Sequence, residues 1–280
     1  MRTGWLAALI CSSLFLTGSG LLAQELTILF TSSANGVIEN CYCPNVRLGG
    51  LEKRAQFIAA YRQRNPGVLV IDNGDNFVEY LNSGFDKVIV AAFGLMNYDV
   101  INIGDQDIAY ATEEYFELPA LAKTPGEPVT VAKGAVTFSI LPLLHPRTTR
   151  YYPDFVFEHL DLDNTRGPIE KWLQSKAAGN TFRILLSHSG YEVDRDFAAS
   201  YPEIDLIVGG HSQTVLDSMV VVNGVPIVQA GGYASYVGEI RFEAGEDGFK
   251  VIEHHLHPLP PEAPDHPEVM KYIDQYTTSP

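Results

Sequence analysis

The sequence predicts an α/β protein, and three observations predict it. Short β-branched runs alternate with longer amphipathic segments through the first half of the chain. The second half turns to hairpins, most plainly where Asn223-Gly224 stands between two apolar runs, a strong two-residue turn signal. The 280 residues carry no evident internal repeat or low-complexity tract, and they suffice for one large core. Mixed sheets with helices outside them, in a single domain, are the expected result.

The elements follow in order. Residues 1–23 open with Arg2, continue through an apolar middle and end on Leu21-Leu22-Ala23 with no acidic residue, the pattern of a cleaved secretory signal. The stretch is broken by Ser12, Ser13, Thr17 and Gly18 and falls short of the roughly 20 apolar residues that a membrane span needs. A periplasmic or secreted protein without stable membrane insertion is therefore expected, and Cys11 leaves with the signal. Strands are predicted at 26–31, 68–72, 100–103, 129–132, 136–141, 184–187, 206–208, 225–229 and 238–242. Helices are predicted at 51–64, 86–97, 113–122 and 167–178, and more weakly at 197–201. Gly49-Gly50 opens the first helix and Pro66-Gly67 closes its exit. The domain is expected to span 24–257. A Pro-rich tail with a short helix, 258–280, is expected as an appendage.

The formal net charge is −15 and becomes −16 once residues 1–23, with Arg2, are removed. Such a chain repels nucleic acid and anionic membranes and attracts no phosphorylated molecule from a distance. An anion must be held locally, by metal or by backbone.

Four predicted strands end at turns that carry a carboxylate or an imidazole beside glycine: Asp72-Asn73-Gly74-Asp75, Gly104-Asp105-Gln106-Asp107, Ser187-His188-Ser189-Gly190 and Gly209-Gly210-His211-Ser212-Gln213. Singly, such an aspartate is more often a turn or cap residue and such a histidine a hydrogen-bonded structural one. Together, two carboxylates and two imidazoles suit Zn, Mn or Fe with room for water.

This order of motifs resembles the calcineurin-like metallophosphoesterases, in particular the catalytic domain of the periplasmic 5'-nucleotidase and UDP-sugar hydrolase group, over about residues 25–243. The most specific stretches are 204–213, Val228-Gln229-Ala230-Gly231-Gly232 and 236–240, with Gly49-Gly50-Leu51-Glu52-Lys53-Arg54 resembling the first helix. The resemblance implies a sandwich of two mixed sheets flanked by helices, and two metals about 3.5 Å apart that activate a water. It implies that Asp75 bridges the ions, that His188 and His211 serve one of them and that Gln213 serves the other.

Besides Asp105, three positions depart from the family. Ser33 and Asn35 stand where its first motif has an Asp and a His, and Gln106 stands where its third motif has the histidine that protonates the leaving oxygen or steadies the transition state. Asp105 replaces an Asn ligand and keeps a metal. Gln106 donates a hydrogen bond but delivers no proton, which forgoes roughly 10²–10⁴-fold of general-acid catalysis. One well-furnished metal site is thus expected at Asp75, Asp105, His188 and His211. A second would draw on Asn35, Gln213 and the thiols of Cys41 and Cys43; those cysteines are equally well read as a strained loop disulfide or idle thiols. Gln106 and Asp107 are the catalytic candidates.

The function expected from these residues is hydrolysis of phosphate esters or anhydrides by a secreted, divalent-metal-dependent 5'-nucleotidase-like catalytic domain that lacks the nucleotide-binding C-terminal domain. Its substrate would be a small phosphorylated molecule, not a nucleic acid. The alternatives are a catalytically impaired metal-binding or interaction module of the same fold and, more weakly, thiosulfohydrolase-like chemistry on sulfur.

Overall fold

The computed structural model describes residues 24–40, 48–79, 83–162, 164–176, 180–245 and 248–277, and within them the apolar runs form two mixed sheets. In the first, β1 (Gln24–Thr31) is central. It runs parallel to β2 (Leu69–Asp72), which in turn runs parallel to β3 (Val100–Ile101). Its other edge pairs antiparallel with β10 (Tyr236–Gly245), whose hairpin partner β11 (Gly248–Pro258) closes the sheet. The second sheet has the order β4 (Val129–Lys133), β5 (Val136–Leu144), β6 (Thr181–His188), β7 (Leu206–Gly209), β9 (Val225–Val228), β8 (Val220–Val222). Its four middle strands are parallel and its edge pairs antiparallel.

Strand alternation decides what each sheet faces. Ile28, Phe30 and Ile71 of the first sheet meet Phe138, Ile184 and Val208 of the second in one core, where Phe182 stacks on Phe242 at 4.5 Å between ring centres. The opposite faces are also apolar, so helices must cover them. Leu29 and Val70 pack under α1 (Leu51–Arg64), α2 (Ser83–Met96) and α8 (Pro267–Thr277), while Leu185 and Ile207 pack under α6 (Arg166–Gln174) and α7 (Tyr191–Ser200). The layers run helix, sheet, sheet, helix.

Several elements differ from the expectation, each for a local reason. The helix predicted at 113–122 is a single turn, α4 (Glu113–Phe116), because Pro119 disfavours helical geometry at Leu118. The weak helix at 197–201 is the well-formed α7, which is capped at its N-terminus by Gly190 with φ 90° and buries Val193, Phe197 and Ala198. A six-residue helix, α3 (Asp105–Tyr110), and a four-residue one, α5 (Pro146–Thr149), were not expected. After residue 258, Leu259, Val269 and Ile273 are buried in the core with α1 and α2. Among the described residues, no helix is long and apolar enough to cross a membrane.

Two buried amides fasten the sheets at one end. Asn73 Nδ2, just past β2, donates to the carbonyls of Ser187 (2.8 Å) and Val208 (2.9 Å) in the second sheet. Asn102, just past β3, donates to Leu186 (2.9 Å), Leu143 (3.2 Å) and the Asn73 side chain (2.8 Å). In a dry interior these bonds set how the carboxyl ends of the two sheets face each other.

Candidate metal centre

The four strand-end motifs meet at that seam. Asp75 and Asp105 arrive from β2 and β3 of one sheet, His188 and His211 from β6 and β7 of the other. One ligand atom from each lies within 4.8 Å of the others. His188 Nε2 is 3.1 Å from Asp105 Oδ1 and 3.2 Å from an Asp75 carboxylate oxygen, and His211 Nδ1 is 2.9 Å from Asp105 Oδ1. Bonds of 2.0–2.2 Å to a tetrahedral ion would hold ligand atoms roughly 3.4 Å apart, so small side-chain adjustments suffice to admit one. Asp75, Asp105 and His188 are only 1%, 3% and 0% exposed, whereas His211 is half-buried.

The donor set fits a divalent cation. The Nδ1–H of His188 donates to the Asn73 carbonyl at 2.6 Å, which leaves Nε2 as the ring nitrogen facing the carboxylates and the one available to an ion. Asp75 Oδ1 accepts from the Gln106 backbone N–H at 3.0 Å, and Tyr152 O–H donates to Asp105 Oδ2 at 2.8 Å. Each ligand is therefore oriented by a second contact. Burial alone would lower His188, but the facing Asp75 and Asp105 carry it well above its ordinary value. Burial raises Asp105, and the two histidines outweigh it and hold its carboxyl below the usual range. Two carboxylates so placed with two neutral imidazoles carry a charge that one divalent cation cancels.

The loops that build the centre are strained. Ser33, Asn35, Asp75, His211, Gln213, Tyr233 and Ala234 all have φ between 46° and 64°, and each follows the carboxyl end of β1, β2, β7 or β9. Such left-handed non-glycine residues cost on the order of 1–3 kcal/mol each and gather where a site over-determines the backbone. Gly104 is required by proximity, since a Cβ there would sit 2.3 Å from Asp75 Oδ1 and 2.8 Å from His188 Cε1.

The other expected residues separate. Gln106 stands over the cluster, its Nε2 3.4 Å from Asp75 Oδ2 and 3.3 Å from Asn35 Oδ1. Asp107 belongs to the scaffold instead of the cleft. It is fully buried, and its carboxylate accepts the backbone N–H groups of Asp75 (2.9 Å), Asn76 (2.7 Å) and Gly104 (2.9 Å). Burial, then Asp75, pushes its carboxyl up to about 7. Gln213 and Asn35 approach each other across Gly232. Ser33 Oγ and Asn35 Nδ2 are buried without hydrogen-bond partners, and neither side chain carries a charge. Cys41 and Cys43 lie outside the described residues.

Sequence reasoning missed Tyr152, Asn73 and Asn102. Tyr152 lies beyond β5, another strand exit at the same end, so position was an available signal; aromatic pairs such as Tyr151-Tyr152 usually pack as core, and here only Tyr152 reaches the centre.

Comparison with known proteins agrees with this geometry. No protein-family model matches the chain. A 5'-nucleotidase of Homo sapiens is 25% identical over 307 residues, covering 91% of this chain and 53% of the relative. The 5'-nucleotidase precursor of Thermus thermophilus superposes with a TM-score of 0.75 at 18% identity, covering 91% of this chain and 58% of that one. The calcineurin-like phosphoesterase YfkN of Bacillus subtilis gives 0.71 at 17% identity, covering 91% and 97%. The chain is thus similar in sequence and in fold to the calcineurin-like metallophosphoesterases. It is a single domain with a degenerate version of their first metal motif at Ser33 and Asn35, and it spans about half the length of the 5'-nucleotidases it matches.

Proposed function

We propose that the chain is a metal-dependent hydrolase of phosphate esters or anhydrides with a single-metal centre. The observation that carries the reading is the convergence of Asp75, Asp105, His188 and His211 from two different sheets on one point. These four residues would hold the ion, which when bound supplies Lewis acidity and an activated water. The chain's own part is to orient. Tyr152 and the Asn73 carbonyl fix two of the ligands, and Gln106 offers an N–H to an oxygen lying over Asp75. Residues 1–23 favour action outside the cytoplasm, in the periplasm or as a secreted protein.

Elemental analysis of the purified protein should give about one metal per chain, and an activated aryl phosphate should be hydrolysed in a His211-dependent manner. No bound metal, or full activity in His211→Ala, sinks the reading.

The buried neutral donors at Ser33 and Asn35 favour a second reading, a metal-binding module whose reaction is impaired. It predicts full metal occupancy with no turnover. The triple change Ser33→Asp, Asn35→His, Gln106→His should then raise both metal content and turnover, and a flat response would count against it.

A further inference from the structure

Beside the metal centre opens a cleft of about 270 Å³, lined by Arg147, Arg150, Ser189, Gly190, Glu192 and His211 among others. His211 belongs to both the cleft and the ligand cluster, so whatever sits in one is adjacent to the other. The volume lies just below the roughly 300–1,000 Å³ of drug-sized pockets.

The charge of the cleft runs against that of the chain. Acidic residues outnumber basic ones 34 to 19, yet among the described residues neither Arg147 nor Arg150 forms an ion pair with a carboxylate. Arg150 lies 4.6 Å over the ring of Tyr151, an exposed stacking contact that spares most of its N–H groups. Glu192 sets one carboxylate against two guanidiniums. The arginines are also held in register with the centre. Ahead of them the His145 backbone N–H donates to the His188 carbonyl at 3.2 Å, and behind them Tyr152 grips Asp105.

A second observation concerns the leaving group. Gln106 is the side chain poised over the cluster, and an amide delivers no proton. Tyr152 O–H is committed to Asp105 at 2.8 Å. A substrate that needs a protonated leaving oxygen is poorly served. When water adds to the phosphorus of an anhydride, it gives up a proton to solvent, the P–O bond to the bridging oxygen breaks and the electron pair leaves with the second phosphoryl group. That group is the base of an acid titrating near about 6, whereas an alkoxide is the base of an acid about as weak as water, ~15.7. The first departs without a proton.

We propose that the cleft of Arg147 and Arg150 is a subsite for a second anionic phosphoryl group, which makes compact diphosphates and phosphoric anhydrides the substrate class of this centre. The proposal rests on the reading of the centre as a metal-dependent phosphohydrolase and deepens it.

Calorimetric titration of the metal-loaded protein with methylenediphosphonate and with inorganic phosphate tests it without turnover. The diphosphonate should bind about tenfold more tightly than phosphate. In Arg147→Ala/Arg150→Ala this margin should shrink to about threefold or less, and Arg147→Lys/Arg150→Lys should keep part of it. Circular dichroism of these exposed-site variants guards against misfolding. No margin in the wild type, or a margin that survives loss of both guanidiniums, overturns the proposal. An arginine-dependent diphosphonate site in a protein that binds no phosphate and no metal would uphold the cleft and remove the metallohydrolase reading. Failure to bind either ligand would remove both.

Discussion

Asp105 and Asp107 stand two residues apart and take opposite parts. Asp105 turns Oδ1 to both imidazoles, while Asp107 spends its carboxylate on three backbone N–H groups and never meets solvent. Replacing Asp105 by Asn should weaken metal binding at least tenfold, and Tyr152→Phe, which loosens Asp105, should weaken it about tenfold, both read by competition with a chelating dye. Asp107→Ala strands three buried donors and should cost about 3 kcal/mol or more in urea unfolding.

A third carboxylate makes a pH prediction. Glu52 is buried, one oxygen accepting from the Asn40 backbone N–H at 2.9 Å and the other unpartnered, and burial raises it from 4.5 to about 7. Its folded form holds a proton more tightly than its unfolded form. The stability this gives is therefore complete below about 4.5 and lost as pH rises through about 7. Glu52→Gln should flatten that fall and stabilise the protein at pH 8 by ~1–3 kcal/mol, measured as unfolding free energy against pH.

At the scale of elements, the exits of the strands carry the chemistry, and their geometry is tight. Gly104→Ala would press a methyl into Asp75 and His188. It should cost ~1–3 kcal/mol of stability and impair metal binding with it, checked by thermal unfolding with and without added metal. The strands themselves were legible because buried runs bounded by Gly and Asp turns leave a local mark, and so were the four strand-end carboxylates and imidazoles. Helix limits were less so. Pro119 cut one short by a rule visible in the sequence, whereas α7 depends on apolar contacts of Val193 and Phe197 with the second sheet, which no local pattern declares. Asn73, Asn102 and Tyr152 stayed hidden for the same reason. Asn73 finds its partners 114 and 135 residues away.

At the scale of the molecule, two sheets each supply half of a ligand set, and the amides of Asn73 and Asn102 keep the halves aligned. Asn102→Leu should leave the far-ultraviolet circular dichroism unchanged while lowering both the melting temperature and the metal affinity, because carbonyls of the second sheet lose their donor. Unchanged metal affinity would show that core packing alone aligns the sheets.

The pairing of β1 with β10 joins Gln24–Thr31 to a strand more than 200 positions later. During synthesis the central strand of its sheet must therefore wait, one edge unsatisfied, until β10 has left the ribosome. Long-range closure of this kind is slow and leaves a sticky edge in the meantime. Slower translation, cooler growth or a chaperone that shields that edge should thus raise the yield of native protein.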